Sequence, residues 1–203
     1  GKVWPGDCAF PDFTRPETRT WWAGLYKDFL ANGIDGIWND MNEPSVFDGP
    51  GGTMPVSNIH LGGGNLPTGT HLMYHNAYGR LMVEASYNGI LAANPDKRPF
   101  VLSRSNILGG QRYAAMWTGD NEATYEQMKL SVPMSITLGL SGQPFNGPDI
   151  GGFAGNTIAD LWGHWLGFGA FFPFSRGHAS CDTNNKEPFG HLLRIYRESH
   201  VLH

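Results

Sequence analysis

The sequence predicts an α/β fold, a partial (β/α)8 TIM barrel made of roughly the last five βα units. Three observations predict it. Helix-period segments alternate with short apolar runs, the pattern of a parallel sheet covered by helices. Polar and charged residues collect directly after each apolar run, where α/β proteins place their functional groups. The chain has 203 residues, whereas a closed eight-stranded barrel takes about 250. The N-terminal strands are therefore expected to be missing, and residues 1–203 are expected to form a single partial barrel domain.

The elements follow in order. A helix is expected over 16–32, where Thr14 and Glu17 have capping-box spacing. Trp22, Leu25, Tyr26, Phe29 and Leu30 form its apolar stripe, and Asn32-Gly33 ends it. A strand over 34–38 then delivers Asn39 and Asp40. The Gly/Pro-rich stretch 48–69 is too long for a plain connector and reads as a structured functional loop. A second helix covers 71–93, and a buried strand over 98–103 delivers Arg104. A strand over 114–118 delivers Asp120, and a helix over 124–138 is expected to kink at Pro133. Strand and turn over 141–152 deliver Asp149. A helix over 158–168 precedes a strand over 171–175, which delivers Arg176 and His178.

Composition narrows the function. The formal net charge is −4 and no Lys/Arg cluster appears, so nucleic acid is not an expected partner. No apolar run reaches the ~18 residues of a membrane span. Charged residues are only 16% while aromatics reach 13%, a mix that suits sugars, whose C–H faces stack on rings. An aromatic-rich core is the competing explanation. Cys8 and Cys181 lack metal-ligand spacing; whether they pair, and the compartment with it, stays open. His71 and His75 have the i, i+4 spacing of a zinc pair, but Leu72 stands where a metalloprotease has Glu, so no metal and no cofactor is expected. The glycine clusters lack a P-loop's GK[ST], and Ser103 and Ser105 lie outside a GxSxG elbow.

Asp40 and Asp120 are the best carboxylate pair. Each follows a short apolar strand with a tryptophan just upstream, Trp38 and Trp117. Glycosidic cleavage uses two such groups, roughly 5–5.5 Å apart in retaining enzymes and ~6.5–9.5 Å apart in inverting ones. A turn or helix-cap aspartate explains either residue equally well from spacing alone. Asp149 in FNGPDIGGF has the surroundings of a tight turn. Arg104 should meet a carboxylate or a ligand hydroxyl. His178 is either a donor to a sugar or a satisfied turn histidine.

The motifs VWPGDCAFPDF, GIWNDMNEPS, RPFVLSRS, GGQRYAAMWTGDN, LGLSGQPFNGPDIGGF and FFPFSRGH stand in one order across 3–189. In these the chain resembles glycoside hydrolase family 31, the α-glucosidase family. The resemblance implies a (β/α)8 barrel that cleaves α-linked glucosides or oligosaccharides with retention. The nucleophile falls on Asp40 and the acid/base on Asp120. Residues that hold the −1 sugar fall on Arg104, Asp149 and His178. Trp38, Met41, Trp117 and Phe153 match pocket walls, Arg176 an arginine near the nucleophile, and Trp4 an aromatic at the pocket edge. Asp40 has to be ionised, which Arg104 or Arg176 would favour. Asp120 has to carry a proton, which burial beside Trp117 and the charge of Asp40 would favour. Transglucosylation, lyase cleavage, or an inactive fragment as an isolated chain are the alternatives. Family members also carry earlier barrel strands and a preceding β-sandwich that this sequence lacks, so it reads as a piece of a larger multidomain enzyme. Linkage preference and oligomeric state are not legible.

Overall fold

The computed structural model describes residues 1–189. Their contacts fall into two compact units, one spanning Gly1–Ala115 and the other beginning at Met116.

The first unit opens with an antiparallel hairpin, β1 (Lys2–Val3) and β2 (Gly6–Asp7), with Trp4 in its turn. Two helices follow, α1 (Pro16–Gly24) and α2 (Tyr26–Ala31), where the sequence predicts one. The break follows Gly24, whose missing side chain makes it a poor helix former. The expected capping box is absent too. Arg15 is the N-cap and makes no side-chain cap bond, Pro16 supplies the pre-set first turn, and the Thr14 hydroxyl donates to Asp12 instead. Strand β3 (Gly36–Asn39) comes next, two residues later than predicted.

The 48–69 stretch is structured, as its length suggested. It holds a 3₁₀ turn (Pro50–Gly52) and β4 (Ile59–His60), which pairs antiparallel with β5 (Gly69–Thr70). Helix α3 (His71–Ala93) matches its predicted span and leads to β6 (Phe100–Ser103). Strands β3 and β6 pair in parallel, Gly36 opposite Phe100 and Asn39 opposite Ser103.

Two clusters form the core of this unit. Leu30, Ile37, Val83, Ile90, Val101 and Ala114 pack behind the strands. Phe13, Val46, Met54, Tyr78 and Leu81 pack under the loop. Each Val, Leu, Ile, Phe or Met among them contributes about 1.5–3 kcal/mol through burial. Two glycines let α3 lie close. A Cβ on Gly89 would stand 2.6 Å from the Ala23 carbonyl oxygen, and one on Gly79 would stand 2.7 and 2.8 Å from those of Ser105 and Asn42. The predicted stripe on α1 and α2 divides. Leu30 is buried, whereas Leu25 and Phe29 face an open apolar groove shared with Trp38 and Ile34.

Strand β7 (Ala115–Trp117) begins at the boundary, and its Met116 and Trp117 pair in parallel with β8 (Asn146–Gly147). Between them runs α4 (Tyr125–Leu140), capped by the Thr124 hydroxyl, which accepts from the Gln127 N–H; the helix runs through Pro133. Strand β9 (Asp149–Ile150) and β10 (Arg176–Gly177) form a second parallel pair around α5 (Ala159–Gly169). Met128, Ile150, Leu161 and Trp165 form the core here. The strand expected over 171–175 lies later in the chain, so Arg176 sits inside the strand rather than after it. The aromatic content serves both explanations given above: Trp117, Trp162, Trp165 and Phe13 are buried, while Trp4, Trp21, Trp38 and Phe47 are exposed.

Candidate active site

Register builds the first half of the site. Because Asn39 lies opposite Ser103, residues 40 and 104 leave the sheet side by side, and the Arg104 N–H donates to the Asn39 carbonyl. The Arg104 guanidinium then reaches Asp40, with Nη1 3.4 Å from Oδ1. The same guanidinium makes a two-pronged bond to Glu43, Nε to Oε1 at 2.8 Å and Nη2 to Oε2 at 3.0 Å. Ser45 donates to Glu43 and accepts from Arg104, closing the cluster. Burial works against charge on Glu43, but the Arg104 and Ser45 bonds and the Arg104 charge outweigh it. The Glu43 carboxyl therefore titrates below the usual glutamate range.

Most residues of the NDMNEPS run have a distinct job. Asn39 is buried and donates to the Tyr26 hydroxyl. Asp40 accepts from the Met41 N–H at 2.8 Å. Met41 has φ 55°, a left-handed conformation that is uncommon for a side chain of its size and turns the chain sharply past the carboxylate. Buried Asn42 donates to Ser103 and accepts from the Ser105 N–H, tying the two strand ends together. Glu43, Asn42 and Ser45 were missed by the sequence reading. A strand-end arginine demands an acid, and Glu43 follows Asp40 by one short turn; that demand was the available signal.

Phe47 was missed as well. Its ring meets Trp4 edge-on with centroids 4.9 Å apart, and its N–H donates to the Lys2 carbonyl, so the opening hairpin and the loop present one exposed aromatic pair.

The second unit carries its own cluster. Asp149 lies opposite Arg176 in register, and Arg176 Nη2 donates to Asp149 Oδ1 at 2.9 Å. His178 Nδ1 lies 3.1 Å from Asp149 Oδ2. Arg176 Nη2 lies 3.1 Å from the same Nδ1, so that nitrogen faces both the acid and the guanidinium. Asp149 is wholly buried and is a strand residue rather than the turn residue its neighbours suggested; Gly151 and Gly152, both at φ 85°, make the turn after it. Burial pushes its carboxyl up, while Arg176 and His178 pull the other way without cancelling the effect. Arg176 also lies over the Trp117 ring at 4.9 Å, and Phe153 packs on His178 at 4.8 Å.

Of the two arginines considered for Asp40, Arg104 lies beside it, and Arg176 pairs with Asp149 in its own unit. One expectation needs correction. Asp120 was expected to be buried beside Trp117. Trp117 is buried, but Asp120 is exposed, because Gly119 at φ 85° turns the chain outward between them.

A parallel βα fold with acids, arginines and aromatics at the C-terminal strand ends has the layout of a barrel enzyme's working face. Comparison with known proteins makes that class specific. The profile of the glycosyl hydrolases family 31 TIM-barrel domain matches residues 1–198. "Alpha-glucosidase 2" of Bacillus thermoamyloliquefaciens is 48% identical over 189 residues, 93% of this chain and 24% of that protein. "Probable glucan 1,3-alpha-glucosidase" of Oryza sativa subsp. japonica is 48% identical over 193 residues, covering 20% of its length. Among solved structures, the Family 31 alpha-glucosidase from Bacteroides thetaiotaomicron is 60% identical, with a TM-score of 0.80 over 93% of this chain and 29% of that one. The Tris-bound glucosidase II alpha subunit is 44% identical, with a TM-score of 0.86 over 94% of this chain and 21% of that one. This chain belongs to glycosyl hydrolase family 31 and carries part of the family's TIM-barrel domain. It spans about a quarter or less of the two curated relatives named here.

Proposed function

We propose that the chain carries the catalytic pair of a retaining exo-α-glucosidase, within one barrel domain of a larger enzyme. The arrangement at Asp40 carries this reading. Its carboxylate is open to a substrate, steadied by a backbone N–H and faced by the Arg104 cation. In the first step Asp40 attacks the anomeric carbon as the bond to the leaving oxygen breaks, and Asp120 gives that oxygen its proton. In the second step water gives a proton to Asp120 and displaces Asp40, so the α configuration is kept.

Arg104, Asp149 and His178 hold the hydroxyls of the −1 sugar, and Arg176 steadies Asp149. Bonds that tighten as the oxocarbenium-like transition state forms contribute most. Trp38, Met41, Trp117 and Phe153 wall that sugar, and Trp4 with Phe47 offers a ring face to what lies beyond it. The names of the relatives support an α-linked glucoside as substrate.

In the intact protein, Asp40→Asn should lower turnover of an aryl α-glucoside by about 10⁴-fold or more. Unchanged turnover would overturn the assignment. NMR of the wild-type products distinguishes the outcomes within the family. α-Glucose as first product supports hydrolysis, longer oligosaccharides support transfer, and an unsaturated anhydro sugar supports lyase cleavage.

A further inference from the structure

Beneath the 48–69 loop lies a line of polar groups, half-buried at Asp12 and buried at the other three, that the proposed reaction does not use. Asp12 precedes α1, His60 ends β4, His71 begins α3, and Thr53 follows the 3₁₀ turn. His60 and His71 are 4% and 0% exposed. His60 Nδ1 lies 2.9 Å from Asp12 Oδ1, His60 Nε2 lies 3.0 Å from His71 Nδ1, and His71 Nε2 lies 3.4 Å from Thr53 Oγ1.

Donor and acceptor logic gives this line a direction. Asp12 also accepts from the Thr14 N–H and hydroxyl and from the Leu61 N–H. Burial opposes its charge, but these bonds and His60 outweigh it, so its carboxyl titrates below the usual range. The carboxylate accepts, so His60 Nδ1 donates. In a neutral His60, Nε2 then accepts from His71 Nδ1, and His71 Nε2 accepts from the Thr53 hydroxyl. One added proton reverses the last two bonds and leaves every group satisfied. A second proton sets N–H against N–H between the two rings.

We propose that Asp12, His60, His71 and Thr53 form a one-proton latch that holds the 48–69 loop closed and opens it when a second proton enters. Beyond Asp12, the described groups packed around the two rings carry no carboxylate to hold that second proton. Tyr78 donates to the Pro11 carbonyl, Tyr74 donates to the Pro67 carbonyl and turns its ring edge to His60, and His75 stacks beside His71. Burial pushes the Tyr78 phenol up, so it stays neutral. Burial, with His60 and His75 as neighbouring cations, pushes His71 down to about 4 from 6.5. A depressed histidine favours the neutral latch. The latch is therefore at full strength above about pH 6.5 and weakens as pH falls toward 4. This inference does not depend on the glycosidase reading.

Hydrogen exchange of loop peptides in the intact protein, corrected for intrinsic amide rates, tests it. Opening of residues 53–70 should rise about 20-fold from pH 7 to pH 5, and His71→Asn should flatten that rise. An unchanged loop in the wild type, or the same rise in His71→Asn, would refute the latch. ¹⁵N-histidine spectra of the wild type give a second reading that needs no variant. Two proton uptakes separated by at least ~2 pH units support coupling between the rings; independent titration of both near 6.5 refutes it. Thr53→Val, which removes the far acceptor without adding charge, should move loop opening to higher pH, and a wild-type profile in that variant removes Thr53 from the device.

Discussion

Asp40 and Asp149 each meet an arginine at the end of a parallel strand pair, and they are held in opposite ways. The Asp40 side chain is 39% exposed and shares Arg104 with Glu43 at 3.4 Å. The Asp149 side chain is 0% exposed and takes Arg176 and His178 at 2.9 and 3.1 Å. The sealed acid fixes the guanidinium and imidazole beside it, and the open acid keeps a face to solvent. The difference follows from position: Asp149 is inside its strand, whereas Asp40 stands just beyond β3 on a sharply turned chain.

Removing each acid in the intact protein is the strongest way to break that comparison. Asp149→Ala removes the wholly buried partner of the half-buried Arg176 and should destabilise by about 1.5–3 kcal/mol, whereas Asp40→Ala should cost under about 1 kcal/mol. Urea denaturation midpoints measure both, and equal losses would erase the distinction. Glu43→Gln comes next. It frees Arg104 to swing and should lower kcat by about 10²-fold, since small misplacements near a reacting centre are that costly. The denaturation midpoint should barely move, and rescue by Glu43→Asp would separate a positioning role from a merely structural one. Gly79→Ala presses a methyl group on the Ser105 and Asn42 carbonyls behind the open acid and should destabilise by about 1–3 kcal/mol. Calorimetry would show whether that strain also reaches kcat. Thr124→Ala loses only a helix cap on the sealed side and should cost about 1 kcal/mol by the same measurement, with kinetics unchanged.

Much of this was legible in the chain. The βα alternation, the 71–93 helix and the residues at the strand ends follow from periodicity and from where polar residues collect. What escaped depended on register. Glu43 meets Arg104 across 61 residues, and Asn42 meets Ser103 across the same separation. Periodicity describes one segment at a time and does not say which strand end faces which. His60 escaped for a similar reason: its partner His71 was weighed against His75, its helical neighbour, and not against a strand across the loop. The burial expected for Asp120 failed on a single glycine turn, because Trp117 and Asp120 were read as one environment when Gly119 separates them.

Sharing Arg104 between two acids has a consequence over a catalytic cycle of the proposed kind. When Asp40 becomes an ester it loses its charge, and an arginine serving Asp40 alone would be left as a bare cation beside a sugar that is itself about to become positive again. Glu43 prevents this. The cluster moves from one surplus negative charge to neutrality and back, and never carries a positive surplus. The glutamate thus acts as a standing counterweight, keeping the local field favourable to a cationic sugar at both ends of the cycle.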